Sequence, residues 1–361
     1  MTTDLLRDRT LLVSCRQIVI GEGYAGRLLA PILRATRRSL RITSLVVSTL
    51  LPGLFHSASA QPTAAYPVKT IKLVVPFPPG AGTDAIARLI AQKLAESMGQ
   101  PMIVENRVGA GGAIGATEVA KADPDGYTLL FVASPFTTVA ASSKSAGYDP
   151  IRQFVPVAPI ALGPLAFVVN PSVPAKTMRE FIALARAQPN KLNYGSAGTG
   201  SVNHLALELL NARAGIDVEH VPYKGIAPAT QDLVAGQIQA MTASIPATLP
   251  LVAQNRVRVL SVTGPKRAAL LPDVPTWKES GVDAEVINYW GIVAPLGTPP
   301  DVVARLNAQV QKVLAMPEVR ERLEREGAEL IPGAPERLGG LIEVDLASWK
   351  KLITDARLQL E

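Results

Sequence analysis

The sequence predicts an α/β protein whose parallel or mixed sheets are covered by helices on both faces, built from two similar units. Three observations carry this. From about residue 66 onward, short runs of buried-type strand residues alternate with amphipathic helical segments. Two glycine-rich stretches, "PFPPGAGTD" (Pro76 to Asp84) and "GSAGTGS" (Gly195 to Ser201), each lie between a strand and a helix. Neither contains a lysine or arginine. A glycine-rich loop in that position points backbone N–H groups at whatever sits above the sheet edge, which makes it an anion site without a cationic side chain. Two such loops in two units point to a ligand held between them.

The elements follow in order. "IKLVV" (Ile71 to Val75) reads as a buried strand. The helix behind its loop, capped by Thr83 or Asp84, buries Ile86, Leu89, Ile90 and Leu94 and stops at Met98-Gly99, where glycine suits the end of a helix. A short strand at Met102 to Val104 leads to Gly109, Gly111 and Gly115. Their G-x-G-x-x-x-G spacing departs from a dinucleotide fingerprint, and no second strand with an acidic residue follows, so a second helix start is the better reading. A strand from Tyr127 to Val132 ends before Ser134, Pro135, Phe136, Thr137 and Thr138, where α/β sheets place ligand-contacting residues or a plain polar loop. The pattern then restarts. "LAFVVN" (Leu165 to Asn170) is a strand, Thr177 caps a helix through Ala187, and "KLNY" enters the second glycine loop. The helix after it carries Val202, Leu205, Ala206 and Leu209 on one face. "DVEHVPYKG" is a strand and tight loop with Tyr223, and a helix stopped by Gly236 and a strand follow. "RVRVLSVTG" is a strand, residues 265–281 a proline-punctuated surface segment, and "VINYWGIVAP" (Val286 to Pro295) a strand. The remainder is helical, broken at Pro317, with a last helix over about Pro335 to Leu358.

Charge and cysteine narrow the function. The net charge of +6 belongs mostly to residues 1–60, which hold eight arginines against three acidic residues; the other 301 residues carry 28 basic and 27 acidic side chains. Such a body has no electrostatic footprint for nucleic acid or an anionic membrane. The single cysteine is Cys15, so the body offers no disulfide, thiolate metal site or cysteine nucleophile. At the N-terminus, Arg34, Arg37, Arg38 and Arg41 precede the apolar run Ile42 to Phe55, and Ala58-Ser59-Ala60 is a small-residue cleavage signal. Basic, apolar and small-residue regions in that order describe an export signal cleaved after Ala60. Proline and glycine interrupt the run, which is short for a membrane span. "TRRSLR" (Thr36 to Arg41) also resembles a twin-arginine signal, so either export route fits. Residues 1 to about 33 are long for such a signal and point to a start further downstream.

His204, in the first turn after the second loop, is a hydrogen-bonded structural or ligand-lining residue. A hydrolase using His204 with Ser196 or Ser201 is the competing reading. It lacks an evident pair of base and orienting group, and Tyr194 stands where a G-x-S-x-G elbow needs glycine.

Six segments together carry a family resemblance: "YPVKTIKLVVPFPPGAGTDAIAR", "VENRVGAGGAIGATEVAKADPDGYTLL", "GSAGTGSVNHLALELL", "HVPYKGIAPATQDLVAGQI", "LSVTGPKRAALLPDVPT" and "YWGIVAPLGTP". In this order the chain resembles the Bug receptors, periplasmic solute-binding proteins of tripartite tricarboxylate transporters. The resemblance implies a type II periplasmic-binding-protein fold with two lobes, residues 66–164 plus 290–361 and residues 165–289, and a ligand cleft between them. It implies a small organic carboxylate as ligand, no catalysis, no cofactor and no metal. Membrane subunits of a transporter, or a sensor kinase, would be the partner of a monomeric periplasmic receptor. Carried over by motif position, Phe77, Pro79, Gly80, Ala81, Gly82, Thr83 and Asp84 form the first grip. Ser196, Ala197, Gly198, Thr199, Gly200 and Ser201 form the second, with His204 and Tyr223 beside it and Ser134 on the wall. Asp84 either caps its own helix or accepts from a ligand hydroxyl or amine. Ala243 stands where the family often has an acidic or polar residue, which favours a carboxylate without an amine.

Overall fold

The structure, a computed structural model, describes residues 66–80, 82–143 and 145–358. The export signal expected over residues 1–60 lies outside them, as does Ala81. Among the described residues no helix is long and apolar enough to cross a membrane.

The chain begins with β1 (Ile71–Val75), α1 (Gly82–Met98) and β2 (Met102–Asn106). After a 3-10 turn at Ala110–Gly112 come α2 (Ala113–Ala120), β3 (Thr128–Ala133) and α3 (Pro135–Ser142). A 16-residue strand, β4 (Phe154–Val169), leads to α4 (Met178–Ala187), β5 (Asn193–Ser196), α5 (Val202–Ala214), β6 (Glu219–Pro222) and α6 (Ile226–Ala235). Then follow β7 (Ala240–Ser244), α7 (Ile245–Ala253), β8 (Arg258–Val262) and β9 (Ile287–Pro295). The chain closes with α8 (Pro300–Leu314), α9 (Pro317–Arg325), β10 (Glu329–Leu330) and α10 (Pro335–Asp355).

The strands pair in the order β2-β1-β3-β9-β4-β7-β5-β6, with β10 and β8 also on β4. The β1 pairings with β2 and β3 are parallel, as are those of β5 with β6 and β7, while β9 runs antiparallel to β3 and β4. β4 joins the two groups. Phe154 to Pro164 pair with β9, and Leu165 to Val169 pair with β7. Its prolines explain why the sequence reading began this strand only at Leu165. Pro156, Pro159 and Pro164 resemble breakers, yet the register shifts between Pro156 and Ala158 and again between Pro159 and Ala161. Bulges of this kind accept residues that cannot donate to the ladder. The same punctuation hid α7, which has Pro246 in its first turn and Pro250 inside it.

Each sheet has its own core. Ile71, Leu73, Ile90, Phe131 and Leu306 belong to one cluster, and Phe167, Phe181, Leu205, Leu210 and Trp277 to another. Trp277 corrects the sequence reading of residues 265–281 as surface: its side chain is fully buried. α10 spans both groups, with Leu338 and Ile342 packed beside Leu130 and Phe136 and with Trp349 and Leu352 beside Leu205. Thr177 caps α4 as expected, its hydroxyl accepting from the Glu180 N–H at 3.2 Å.

Replacing the buried Trp277 by alanine is expected to destabilise the protein by roughly 3–5 kcal/mol, the range for emptying a large aromatic site. Urea denaturation of wild type and variant, read by circular dichroism, checks this.

Candidate functional site

Four strands end in helices around one cavity of about 480 Å³. Thr83 of α1 and Pro135 of α3 line it from the first sheet, and Val202 and Asn203 of α5 with Ser244 and Thr248 around the start of α7 line it from the second. Phe77, Ala133, Leu165, Ala197, Ala243 and Asn288 complete the part nearest the glycine loops. The ends of parallel strands are where such sheets bind ligands, because each junction offers free N–H groups at a helix start. Among the described residues, no lysine, arginine, histidine, aspartate or glutamate lines this cavity.

The first loop is fixed by Asp84. The helix starts at Gly82, earlier than a cap at Thr83 or Asp84 would allow, so Asp84 lies within its first turn. The carboxylate is almost fully buried and accepts from the Gly80 N–H (2.9 Å), Arg88 Nε (2.9 Å) and Asn106 Nδ2 (2.8 Å). Burial alone would raise its pKa, but these hydrogen bonds outweigh that and hold it below the ordinary value. Asn106 also donates to the Phe77 carbonyl at 2.9 Å, which ties the loop to the end of β2. Asp84 therefore holds its own loop, and its oxygens are occupied by it. Gly80 takes a φ of +80°, a conformation that favours glycine. Thr83 faces the cavity, its hydroxyl accepting from Trp290 Nε1 at 3.2 Å.

Two histidines underlie the second loop. Gly200 N–H donates to His204 Nδ1 at 3.1 Å, so the ring proton sits on Nε2, 4.0 Å from Glu208 Oε1. His204 stacks on His220 with ring centroids 3.9 Å apart, and His220 Nε2 lies 2.7 Å from Ser196 Oγ. Ser196 Oγ in turn accepts from the Gly198 N–H at 3.1 Å, and Ser201 caps α5 by accepting from the His204 N–H. Burial lowers the pKa of His204 to about 4; burial, then the neighbouring His204, lowers that of His220 to about 4. Gly198 and Gly200, at φ of +120° and +76°, complete the turn, and a Cβ at Gly200 would meet Ser142 Oγ at 2.6 Å.

Of the residues expected at the site, the cavity brings together Phe77, Thr83 and Ala197. Gly80, Asp84, Ser196, Gly198, Gly200, Ser201 and His204 shape the loops behind that surface, and Pro79 and Thr199 are exposed. Ser134 is fully buried, its hydroxyl donating to the Ile287 carbonyl and accepting from the Tyr289 N–H. Its neighbours Ala133 and Pro135 form the wall instead. Tyr223 turns its hydroxyl to Asp232 at 2.7 Å and supports the loop through its N–H, which donates to the Ser196 carbonyl. Neither Ser196 nor Ser201 forms the hydrolase pairing with the His204 ring, and Ser201 Oγ accepts from the His204 backbone N–H. Ser196 meets His220 rather than His204, and both Ser196 and His204 are buried. The sequence reading missed His220, Asn106, Asn203 and Asn288. With its carbonyl oxygen accepting from the Ser134 N–H at 3.2 Å, Asn288 has its amide N–H groups left to offer a ligand.

Fold and cleft together define a periplasmic-binding-protein architecture of type II, and solved structures agree. A Rhodopseudomonas palustris protein described as "Rpa4515 with adipate" is 36% identical, with a TM-score of 0.73, covering 81% of this chain and 98% of its own. MatC from the same organism, described "with bound malate", is 35% identical, with a TM-score of 0.70, covering 80% of this chain and 100% of its own. Residues 86–358 match the family described as "Tripartite tricarboxylate transporter family receptor", and the chain belongs to that family. Relatives include a protein from the tcbD-tcbE intergenic region of Pseudomonas sp. (strain P51), 42% identical over 89% of this chain and 95% of its own. BugT of Bordetella pertussis is 34% identical over 86% and 97%. The Bug resemblance read from the motifs holds.

Acid acts on the histidines of the second loop and on Asp345, which lies outside the cavity, with opposite sign. The histidines have folded pKa values below their ordinary 6.5, so the unfolded chain binds more protons between about 6.5 and 4. Their contribution is complete above 6.5 and lost as pH falls to about 4, by roughly 3 kcal/mol for one ring shifted this far. His220→Asn, which cannot titrate, is expected to flatten that loss in urea denaturation between pH 7 and 4.

Asp345 behaves in the reverse way. Half-buried against α3, with Thr137 Oγ1 2.5 Å away, it is pushed by desolvation from 3.8 to about 6. The folded state keeps its proton where the unfolded state has lost it, so stability falls as pH rises from about 4 through 6. Asp345→Asn is expected to raise stability at pH 7 by up to about 3 kcal/mol, with little effect at pH 4, in the same titration.

Proposed function

We propose that the protein is an extracytoplasmic receptor that captures a small organic carboxylate in this cavity and presents it to the membrane subunits of a tripartite tricarboxylate-type transporter. The observation that carries this reading is the cavity's composition. Strand-to-helix junctions from both sheets surround it, among them those of both glycine loops, and no charged side chain lines it among the described residues. A carboxylate is the anion such a lining suits. Helix starts supply about half a positive charge each, with free N–H groups. Ala133, Ala197 and Ala243 leave no acidic group to repel the ligand, and Ala243 leaves no partner for a ligand amine. The reading therefore favours a carboxylate without an amino group.

Residues 66–164 with 290–361, and residues 165–289, are proposed to act as the two lobes. β4 changes partner between Pro164 and Leu165, which is where a hinge would bend. The adipate and malate described in the relatives' structures support the ligand class. The export signal read from Arg34 to Ala60 supports a periplasmic location.

Native mass spectrometry of the purified protein is expected to reveal a co-purified acid. A thermal-shift screen of mono-, di- and tricarboxylates tests the reading directly. A ligand at a hundred times its Kd adds about 2.7 kcal/mol and raises the midpoint visibly. If no carboxylate shifts it, the receptor reading is wrong.

A further inference from the structure

The cavity does not end at the glycine loops. It runs on along the second sheet into a trough between α6 and α7, walled by Ile226 and Thr230 on one side and Ala247 and Leu251 on the other, and floored by Met241 and Val257. We propose that this trough takes the apolar body of the ligand. The preferred ligand is then a monocarboxylate with an alkyl or aryl tail of six or more carbons rather than a short diacid. The proposal rests on the receptor reading above, and it names the class of carboxylate.

Three features argue for an apolar occupant. The polar side chains along the trough are already satisfied by their own helices. Thr230 Oγ1 donates to the Ile226 carbonyl at 2.9 Å, and Thr248 Oγ1 donates to the Ile245 carbonyl at 2.7 Å. Asn203, where the trough meets the second loop, has turned its amide N–H groups to Thr242, with the carbonyl oxygen at 2.7 Å. The two threonines leave only a methyl facing the space, and the remaining polar atoms, the Asn203 amide oxygen and the Ser244 hydroxyl, lie at the end nearest the glycine loops. Second, no cation stands at the far end among the described residues, so a second carboxylate there would lose its hydration without a charged partner. Third, the whole cavity, at about 480 Å³, lies within the range of about 300–1,000 Å³ that encloses drug-sized ligands, ample for more than a four-carbon acid.

Ala247 is the sensitive position. It is exposed on α7, so a larger side chain there enters the trough without disturbing a core.

The test is isothermal titration of the exported protein with straight-chain monocarboxylates of two to ten carbons, benzoate and phenylacetate, and diacids of four to eight carbons. Each buried methylene is expected to tighten binding by about fourfold until the trough is full. Each monoacid is expected to bind at least tenfold more tightly than the diacid of equal length. Ala247→Trp, with an unchanged melting temperature, is expected to flatten the chain-length series; should it misfold, Leu251→Ser is expected to lower the slope. A flat series, or diacids that match or outbind their monoacids, overturns the trough while leaving the receptor reading standing. Binding of no acid from either series overturns both.

Discussion

The architecture depends on one pair of strands. β4 and β9 lie antiparallel from Phe154 opposite Pro295 to Pro164 opposite Ile287, and β4 then continues alone into the second sheet. Everything on either side hangs from this ladder. β9 carries β3 and, through it, β1 with the first glycine loop; β4 carries β7 and, through it, β5 with the second. Of the strands, β4 alone runs from one sheet into the other, so it is the strand link between the two loops. The bulges beside Pro156 and Pro159 bend that strand while keeping its other backbone groups paired. α10 runs across the junction and buries side chains in both cores, so any relative movement of the two sheets must be accommodated along it.

Neutral loops suit a receptor that must release what it binds. A guanidinium buried in the cavity would cost several kcal/mol of desolvation before any ligand arrived. A helix start carries its partial charge as part of the backbone, each contributing about 0.3–1 kcal/mol to a nearby anion and up to about 2 in a partly buried setting. On the proposed reading, several such junctions would hold a carboxylate by addition. None of them leaves a strong uncompensated charge when the site empties.

The cost of neutral loops is that their geometry has to be held by something else, and each has a buried device behind it. Asp84, Arg88 and Asn106 anchor the first by a network of charge-assisted hydrogen bonds. The stacked rings of His204 and His220 anchor the second, receiving the Gly200 N–H and meeting the Ser196 hydroxyl. One device is kept ionised by its hydrogen bonds and the other is kept neutral by burial.

Most of the strand and helix pattern and both glycine loops were legible in the sequence, because alternation, glycine placement and caps such as Thr177 are local signals. The absence of lysine and arginine in the loops was legible too, and it agrees with a cavity that no charged side chain lines among the described residues. The single long β4 and α7 were not legible, since their prolines read as breaks and only cross-strand partners reveal a bulge. The burial of Trp277 was hidden for a related reason, as a lone aromatic in a proline-rich segment has no period to betray it. At the site, residue type alone could not separate side chains that face the cavity from those that support it. Ser134, His204 and Tyr223 have the chemistry of ligand contacts, yet the fold commits the Ser134 hydroxyl and His204 Nδ1 to backbone groups and the Tyr223 hydroxyl to Asp232. The sequence by itself determined what kind of protein this is and which loops border the cavity, because those are properties of segments. Which atoms remain free for a ligand was decided only by the tertiary structure, because that depends on partners more than twenty residues away, such as Asn106 for Asp84 and Ile287 for Ser134.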